Sequence, residues 1–328
     1  MTTKAAITGV AHYVPETVLS NHDLEVLVDT SDEWITERSG IKERRISRDK
    51  EQATVFMGVQ AAKKLLNKKN IDPQDIDLII LATVTPDLQF PSSANLIAHE
   101  IGASRAWGFD LNAACSSFLY ALQTASKFIE TGTHKIILVI GADKMSSIID
   151  YTDRSTCVLF GDGAGCVLLE PDSSGNGILD ADLHSDGSGA PLLYQKAGGS
   201  LHPASAETVR NKEHFVRMDG KGVFKMAVAR FSQTTQTILN RNHLKPEDIA
   251  FFVPHQANKR IIDAALEKTG LSESQTMINI QRYGNTTSAT LPICLSEWEG
   301  KLKKGDNIIL ATFGAGFTWG SIYLKWAY

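Results

Sequence analysis

Three side chains in the sequence stand where nucleophilic chemistry could be built: Cys115, His255 and Asn285. Cys115 follows Trp107-Gly108-Phe109-Asp110-Leu111, which reads as a strand, and opens a stretch where Phe118, Leu119, Leu122, Phe128 and Ile129 recur at helical spacing. A thiol at a helix N-terminus meets unpaired amides and the positive end of the macrodipole, which favour the thiolate needed for attack near neutral pH. The same position would suit a small buried hydrophobe, the commoner fate of a free cysteine. His255 leaves the strand Ala250-Phe251-Phe252-Val253 in the run Pro254-His255-Gln256-Ala257-Asn258-Lys259-Arg260. A histidine at a strand exit, beside amides and cations, suggests a site more than one on an apolar face, although a lone histidine is more often structural. Asn285 lies in Arg282-Tyr283-Gly284-Asn285-Thr286-Thr287-Ser288, before an apolar helix with Leu291, Ile293, Cys294, Leu295 and Trp298. Asparagine there is also a favoured helix N-cap.

Two glycine-rich runs invite a phosphate-loop reading and fail it. Gly314-Ala315-Gly316-Phe317-Thr318-Trp319-Gly320 joins two strands, and neither it nor Phe160-Gly161-Asp162-Gly163-Ala164-Gly165 carries Gly-Lys-Ser/Thr or a dinucleotide fingerprint. Glycine at a strand-to-strand turn lets a backbone amide approach a reacting carbonyl, so Gly316 could serve an oxyanion hole, or simply make a tight turn. The remaining cysteines, Cys157, Cys166 and Cys294, form no Cys-x-x-Cys pair and no zinc spacing with histidine. No metal site is expected.

The elements that must position these residues come from a duplication. Leu65-Leu66-Asn67-Lys68 through Pro73-Gln74-Asp75-Ile76 resembles Ile238-Leu239-Asn240-Arg241 through Pro246-Glu247-Asp248-Ile249, at an offset of 173 residues. Gly132 to Ala142 resembles Gly305 to Ala315 at the same offset. The first half reads as a helix over 51–69, a strand over 77–85, a strand over 106–112, a helix over 115–131 and a strand over 135–142, and the second half repeats that order. Runs such as Leu78-Ile79-Ile80-Leu81 are too continuously apolar for a solvent-facing strand, which predicts an α/β fold with sheets covered by helices. The turn-rich Pro171-Asp172-Ser173-Ser174-Gly175 marks the seam, dividing the chain into 1–172 and 173–328. Residues 186–222 have no counterpart in the first half and are expected to form a lid. The offset carries Asn285 onto Asn112 and brings two related helix starts, those of Cys115 and Asn285, toward a common centre.

Composition sets outer bounds. At 328 residues, 43% of them hydrophobic, the chain can bury a substantial core in one large domain or two packed halves. A net charge of −4 without a basic-aromatic run argues against nucleic acid and anionic lipid as partners, so any acidic partner must be met by a local basic patch. No apolar run is long enough for a membrane span and the N-terminus lacks a signal-peptide core, so a cytoplasmic protein is expected.

Taken together, Asn112-Ala113-Ala114-Cys115-Ser116, Pro254-His255-Gln256-Ala257-Asn258, Gly284-Asn285-Thr286 and Gly316-Phe317-Thr318-Trp319-Gly320 resemble the β-ketoacyl-acyl-carrier-protein synthase III family. So do Ser31-Asp32-Glu33-Trp34-Ile35 and Arg38-Ser39-Gly40-Ile41. The resemblance implies a thiolase-like fold of two duplicated βαβαβ-type halves with mixed sheets, a homodimer, and a Cys-His-Asn triad. It implies that Cys115 takes an acyl group from acyl-CoA while the amides of Cys115 and Gly316 hold the oxyanion. His255 and Asn285 would stabilise the enolate formed when malonyl-acyl-carrier protein loses carbon dioxide. Trp34 and Arg154 would sandwich the adenine of CoA, with Arg38 near its phosphates and Asn258 also binding CoA. Lys225, Lys259 and Arg260 would dock the carrier protein, and Phe90 and Phe224 would bound the acyl pocket, with the Asp87–Pro91 segment reaching the partner subunit. No cofactor is implied, because the CoA thioester is a substrate. Ser117 departs from the glycine common at its position.

Rival readings differ in what they require of these residues. A biosynthetic thiolase would want a second reactive cysteine in 314–320, and none is there. Elongating synthases of the two-histidine type would have histidine at 285, and a plant-type polyketide synthase would be longer. A specialised condensing enzyme, a Cys-His-Asn thioester hydrolase and a degenerate acyl-binding protein share much of the residue inventory.

Overall fold

The structure is a computed structural model that describes residues 3–328. Five strands from the first half, β1 (Lys4–Tyr13), β2 (Leu78–Ala82), β3 (Trp107–Leu111), β4 (Ile137–Asp143) and β5 (Gly163–Asp172), form one sheet in the order β1-β5-β4-β2-β3. β2 runs parallel to β4 and to β3, whereas β5 is antiparallel to β1 and to β4. The second sheet, in the order β7-β8-β9-β6, is made of β6 (Gly177–Ser185), β7 (Phe251–Pro254), β8 (Asn307–Gly314) and β9 (Thr318–Lys325). Both sheets are mixed.

The helices are α1 (Asp32–Ser39), α2 (Thr54–Lys69), α3 (Ser93–Ile101), α4 (Ser117–Glu130), α5 (Gly220–Arg241), α6 (Lys259–Thr269) and α7 (Thr290–Trp298). Helices α4 and α7 lie between the sheets, where Phe118, Leu122, Leu291 and Leu295 share one core with Ile7, Leu78, Ile308 and Ile322. Helices α2 and α3 cover the outer face of the first sheet, and α5 and α6 that of the second. Every residue of β2 is buried, as its unbroken apolar run required. The ends shift by a few residues from the sequence reading, and α3 was not expected.

The expected repeat also fails within the sheets. The second half has no counterpart of strand β3: Thr276 makes a single bridge to Phe252, and residues 280–283 form a short helix. The Gln256 side chain replaces the missing ladder, donating to the carbonyls of Pro254 and Met277 and accepting from the amides of Asn279 and Ile280. Residues 186–222 are not structureless either. Leu193–Gln195 pairs with Val216–Met218, and Val216 is buried among Met145, Ile149 and Ile280.

Candidate active site

Cys115 sits at a sharp elbow after β3. Ala114 takes a left-handed φ of 51°, residues 114–116 form a single 3-10 turn, and α4 begins only at Ser117. The elbow is closed locally by Ser117, which is fully buried: its hydroxyl accepts from the Ala113 amide at 2.7 Å and donates to the Ala114 carbonyl at 2.6 Å. Glycine could make neither bond. The second half braces the elbow from outside, because Thr318 donates to the Ala113 carbonyl at 2.7 Å and Ser116 donates to the Thr318 carbonyl at 3.1 Å.

His255 follows β7 directly, and its amide extends the ladder to the Ala311 carbonyl at 2.8 Å. His255 is 3% exposed, yet among the described residues neither Nδ1 nor Nε2 has a hydrogen-bond partner. Two unpaired buried nitrogens are costly, and such groups cluster where a ligand completes them. Asn285 is held through its backbone, donating to the Leu159 carbonyl at 2.9 Å and accepting from the Gly161 amide at 3.0 Å. Its Oδ1 accepts from the Thr287 amide at 2.9 Å, which commits the oxygen and leaves the carboxamide NH2 free of protein partners among the described residues. It does not cap α7, whose N-cap is Ala289. The Phe160–Gly165 run, mute in sequence, is therefore part of the mount for Asn285. Its signal was the clustered glycine, without a phosphate motif to explain it.

All three side chains line one cavity of about 560 Å³. Burial, with a smaller contribution from the carboxylate of Asp143, pushes the Cys115 thiol up to about 12, while burial pushes His255 down to about 3. The resting pair is thus a neutral thiol and a neutral imidazole. The expectation of a thiolate at rest is overturned, because desolvation outweighs the amides of a single 3-10 turn.

The glycine-rich turn packs against the elbow at Gly314, where a Cβ would lie 2.7 Å from the Cys115 nitrogen, and two residues on Gly316 takes a φ of +135° that favours glycine. Gly314 and Phe313 line the cavity.

Trp34, Arg38, Arg154, Asn258, Arg260 and Phe224 also line it. The Arg154 guanidinium lies 5.0 Å from the Trp34 ring centroid, so the pair is closed on itself and must part to admit a base between them. Asn258 caps α6, accepting from the Arg260 amide at 2.9 Å, and donates to the Arg38 carbonyl at 2.9 Å, so most of its amide is committed to protein. Arg260 stacks 5.2 Å from the Phe224 centroid. Lys225 is exposed on α5, but Lys259 is ion-paired with Asp263 and, at 3.4 Å, with Glu273. Its charge is neutralised locally, unlike that of Lys221, a cavity-lining cation the sequence reading missed. Arg38, Lys221 and Arg260 line the cavity with no ion-paired carboxylate among the described residues, and Arg154, 3.8 Å from the exposed Asp29, joins them in a local basic patch on an acidic chain. Phe90 lies outside the cavity and is 86% exposed. Among the described residues no group of His, Cys, Asp and Glu could hold a metal ion.

Comparison with known proteins gives a consistent picture. Residues 109–187 match the family model described as 3-oxoacyl-[acyl-carrier-protein] synthase III, and residues 239–326 match the model of its C-terminal part. The chain is 55% identical over 327 residues to the β-ketoacyl-[acyl-carrier-protein] synthase III of Chlorobium chlorochromatii, covering 98% of this chain and 99% of that one. The crystal structure of 3-oxoacyl-[acyl-carrier-protein] synthase III from Aquifex aeolicus is similar with a TM-score of 0.90 at 44% identity, covering 98% of this chain and 100% of that one. The priming β-ketosynthase of a polyketide biosynthetic pathway is similar with a TM-score of 0.91 at 33% identity, covering 98% and 96%.

Proposed function

Because the chain belongs to the 3-oxoacyl-[acyl-carrier-protein] synthase III family, we propose that it condenses an acyl-CoA primer with malonyl-acyl-carrier protein, initiating fatty-acid synthesis through an acyl-Cys115 intermediate. The observation that carries the reading is the pairing, in one cavity with Cys115, of a buried imidazole and a carboxamide NH2 that both lack protein partners among the described residues.

In the first half-reaction Cys115 Sγ bonds to the thioester carbonyl carbon, the carbon–sulfur bond to CoA breaks, and the thiol proton leaves with the CoA sulfur. The amides of Cys115 and Gly316 hold the oxyanion. In the second, the malonyl carboxylate leaves as carbon dioxide and its bonding electrons form an enolate. His255 and Asn285 donate to the enolate oxygen; neither needs to carry a charge to do so. The carbanion then bonds to the acyl carbon, the Cys115 carbon–sulfur bond breaks, and the thiolate takes up one proton from solvent. The sum is acyl-CoA, malonyl-carrier protein and a proton in, with 3-oxoacyl-carrier protein, carbon dioxide and CoA out. The reaction calls on no resident cofactor.

The halves 1–172 and 173–328 contribute the nucleophile and the enolate donors respectively, and the 186–222 segment covers the mouth, supported by Leu193 and Met218 in the cavity wall. Trp34 and Arg154 take the adenine of CoA between them and Arg38 and Lys221 receive its phosphates, with the carrier protein docking near Lys225 and Arg260. A homodimer is supported by strand β3, which is a sheet edge with Trp107 48% exposed, and by Phe90 on the surface nearby in sequence. Among the described residues no helix is long and apolar enough to cross a membrane.

The test is mass spectrometry of the protein after incubation with a panel of acyl-CoAs, followed by malonyl-carrier protein. The expected result is acyl mass on the Cys115 peptide, discharged with release of carbon dioxide only when the malonyl substrate is added. Free acid released without it would instead identify a thioester hydrolase.

A further inference from the structure

The duplication extends to the elbow itself. Offset by 173 residues from Ala114, Thr287 also has a left-handed φ, 48° against 51°, and residues 287–289 form a 3-10 turn ahead of α7 as 114–116 do ahead of α4. Asn112 Oδ1 accepts from the Ala114 amide at 3.1 Å, as Asn285 Oδ1 does from that of Thr287. Gly314, against the Cys115 nitrogen, has its counterpart in Gly141, where a Cβ would meet the Ser288 carbonyl oxygen at 2.3 Å. At this second elbow Ser288 stands in the place of Cys115, Ala82 in that of His255, and Asp143 in that of Gly316.

Asp143 is fully buried and forms no ion pair with Lys, Arg or His among the described residues. A carboxylate so placed survives only if hydrogen bonds satisfy it. Its Oδ1 lies within hydrogen-bond distance of the Thr83 hydroxyl (3.0 Å), the Val84 amide (2.7 Å), the Thr85 amide (3.2 Å) and the Thr85 hydroxyl (3.1 Å), all at the exit of β2. Its Oδ2 takes the Thr287 hydroxyl, the Ser288 amide (3.0 Å) and the Ser288 hydroxyl (2.5 Å) from the other half. One carboxylate thereby ties the first sheet to the turn whose amide, that of Thr287, orients the Asn285 carboxamide.

We propose that Asp143 is a positioning residue for condensation: through Thr287 it holds the Asn285 carboxamide with its NH2 toward the cavity. The second elbow is thus a copy of the nucleophile elbow converted into a clamp. This rests on the functional reading above. Acyl transfer to Cys115 uses the first elbow and its oxyanion amides, so it does not draw on the clamp, whereas enolate formation does. A small displacement of an aligned group costs as much as about a hundredfold in rate.

The test measures both half-reactions in the full-length protein and its Asp143→Asn, Thr287→Val and Thr287→Ser variants: single-turnover acylation by mass spectrometry, and carbon dioxide release from malonyl-carrier protein. Asp143→Asn and Thr287→Val are expected to acylate within about threefold of the parent and to lose at least about tenfold in kcat for carbon dioxide release, with KM little changed. Thr287→Ser, which keeps the hydroxyl, is expected to restore most of that loss. Equal losses in the two half-reactions would mean a merely structural role and overturn the proposal, as would normal condensation by both Asp143→Asn and Thr287→Val beside an active parent. If Asp143→Asn fails to fold, the Thr287→Val and Thr287→Ser pair decides by the same criteria. A parent that acylates but never condenses would sink the functional reading itself, a distinct outcome.

Discussion

Replacing His255 by alanine separates the two roles a buried histidine can have. Deleting the ring forfeits packing and leaves a cavity, worth together about 2–5 kcal/mol for a buried side chain of its size. It also removes two desolvated nitrogens that lack partners among the described residues, each costing the native state about 1–3 kcal/mol and the two together about 2–6 kcal/mol. The two effects largely cancel, so the variant is expected to stay within about 1.5 kcal/mol of the parent, a Tm change of no more than about 3 °C. The enolate, in contrast, loses one of two donors, and removing a single oxyanion donor costs about 10²–10³ in kcat, or about 2.7–4 kcal/mol. Acylation of Cys115 should fall by less than about tenfold, since its oxyanion is held by backbone amides. The assay combines thermal unfolding, intact-mass kinetics of acylation and carbon dioxide release on one preparation. A Tm drop of more than about 6 °C would show that the ring is structural. Equal losses in acylation and condensation would show that His255 takes the Cys115 proton in the first step, and the assignment to the enolate would fall.

Further outcomes follow from burial and contact. Burial pushes His255 from its ordinary 6.5 to about 3 and, with Lys64 nearby, His12 to about 4. Between these values and 6.5 the unfolded chain binds more protons, so stability is fully present above pH 6.5 and falls by up to about 1.4 kcal/mol per pH unit for each histidine on acidification. Urea unfolding from pH 7 to 4.5 checks this, and His255→Ala should lessen the slope; an unchanged slope would contradict the burial. Gly314→Ala places a methyl 2.7 Å from the Cys115 nitrogen, so single-turnover acylation should drop by about a hundredfold or more with a stability loss of about 1–3 kcal/mol, and normal acylation would refute the close approach. Lys221→Ala should raise KM for acyl-CoA by about three- to tenfold and weaken its salt dependence, whereas Lys259→Ala, already paired with two carboxylates, should change KM by less than about twofold. Equal effects from the two lysines would refute the distinction.

Much of the architecture was legible because duplication and apolar periodicity are local signals. The continuous run over 78–81 marked a strand buried on both faces, and the 173-residue offset carried into backbone detail as fine as the matched φ values at Ala114 and Thr287. What the offset could not reveal was where the copies diverged. Residues 276–283 gave up their strand because the Gln256 side chain supplies its hydrogen bonds, and nothing local to 276–283 records that substitution. The same holds for Lys259, whose partner Glu273 lies 14 positions away, and for Gly314, whose neighbour is Cys115, nearly two hundred residues earlier.

The sequence by itself determined which chemistry the chain carries: a thiol after a strand, an imidazole at another strand's exit and a carboxamide at a repeated turn, in an order that resembles one family. Only the tertiary structure decided the electrostatic state of those groups and the direction in which they point. Desolvation depends on every atom packed around a site, so the helix-start rule predicted a thiolate where burial leaves a neutral thiol. Orientation depends on partners from distant segments, so it took the folded chain to bring Asp143 of one half against Thr287 and Ser288 of the other and fix which way Asn285 presents its amide.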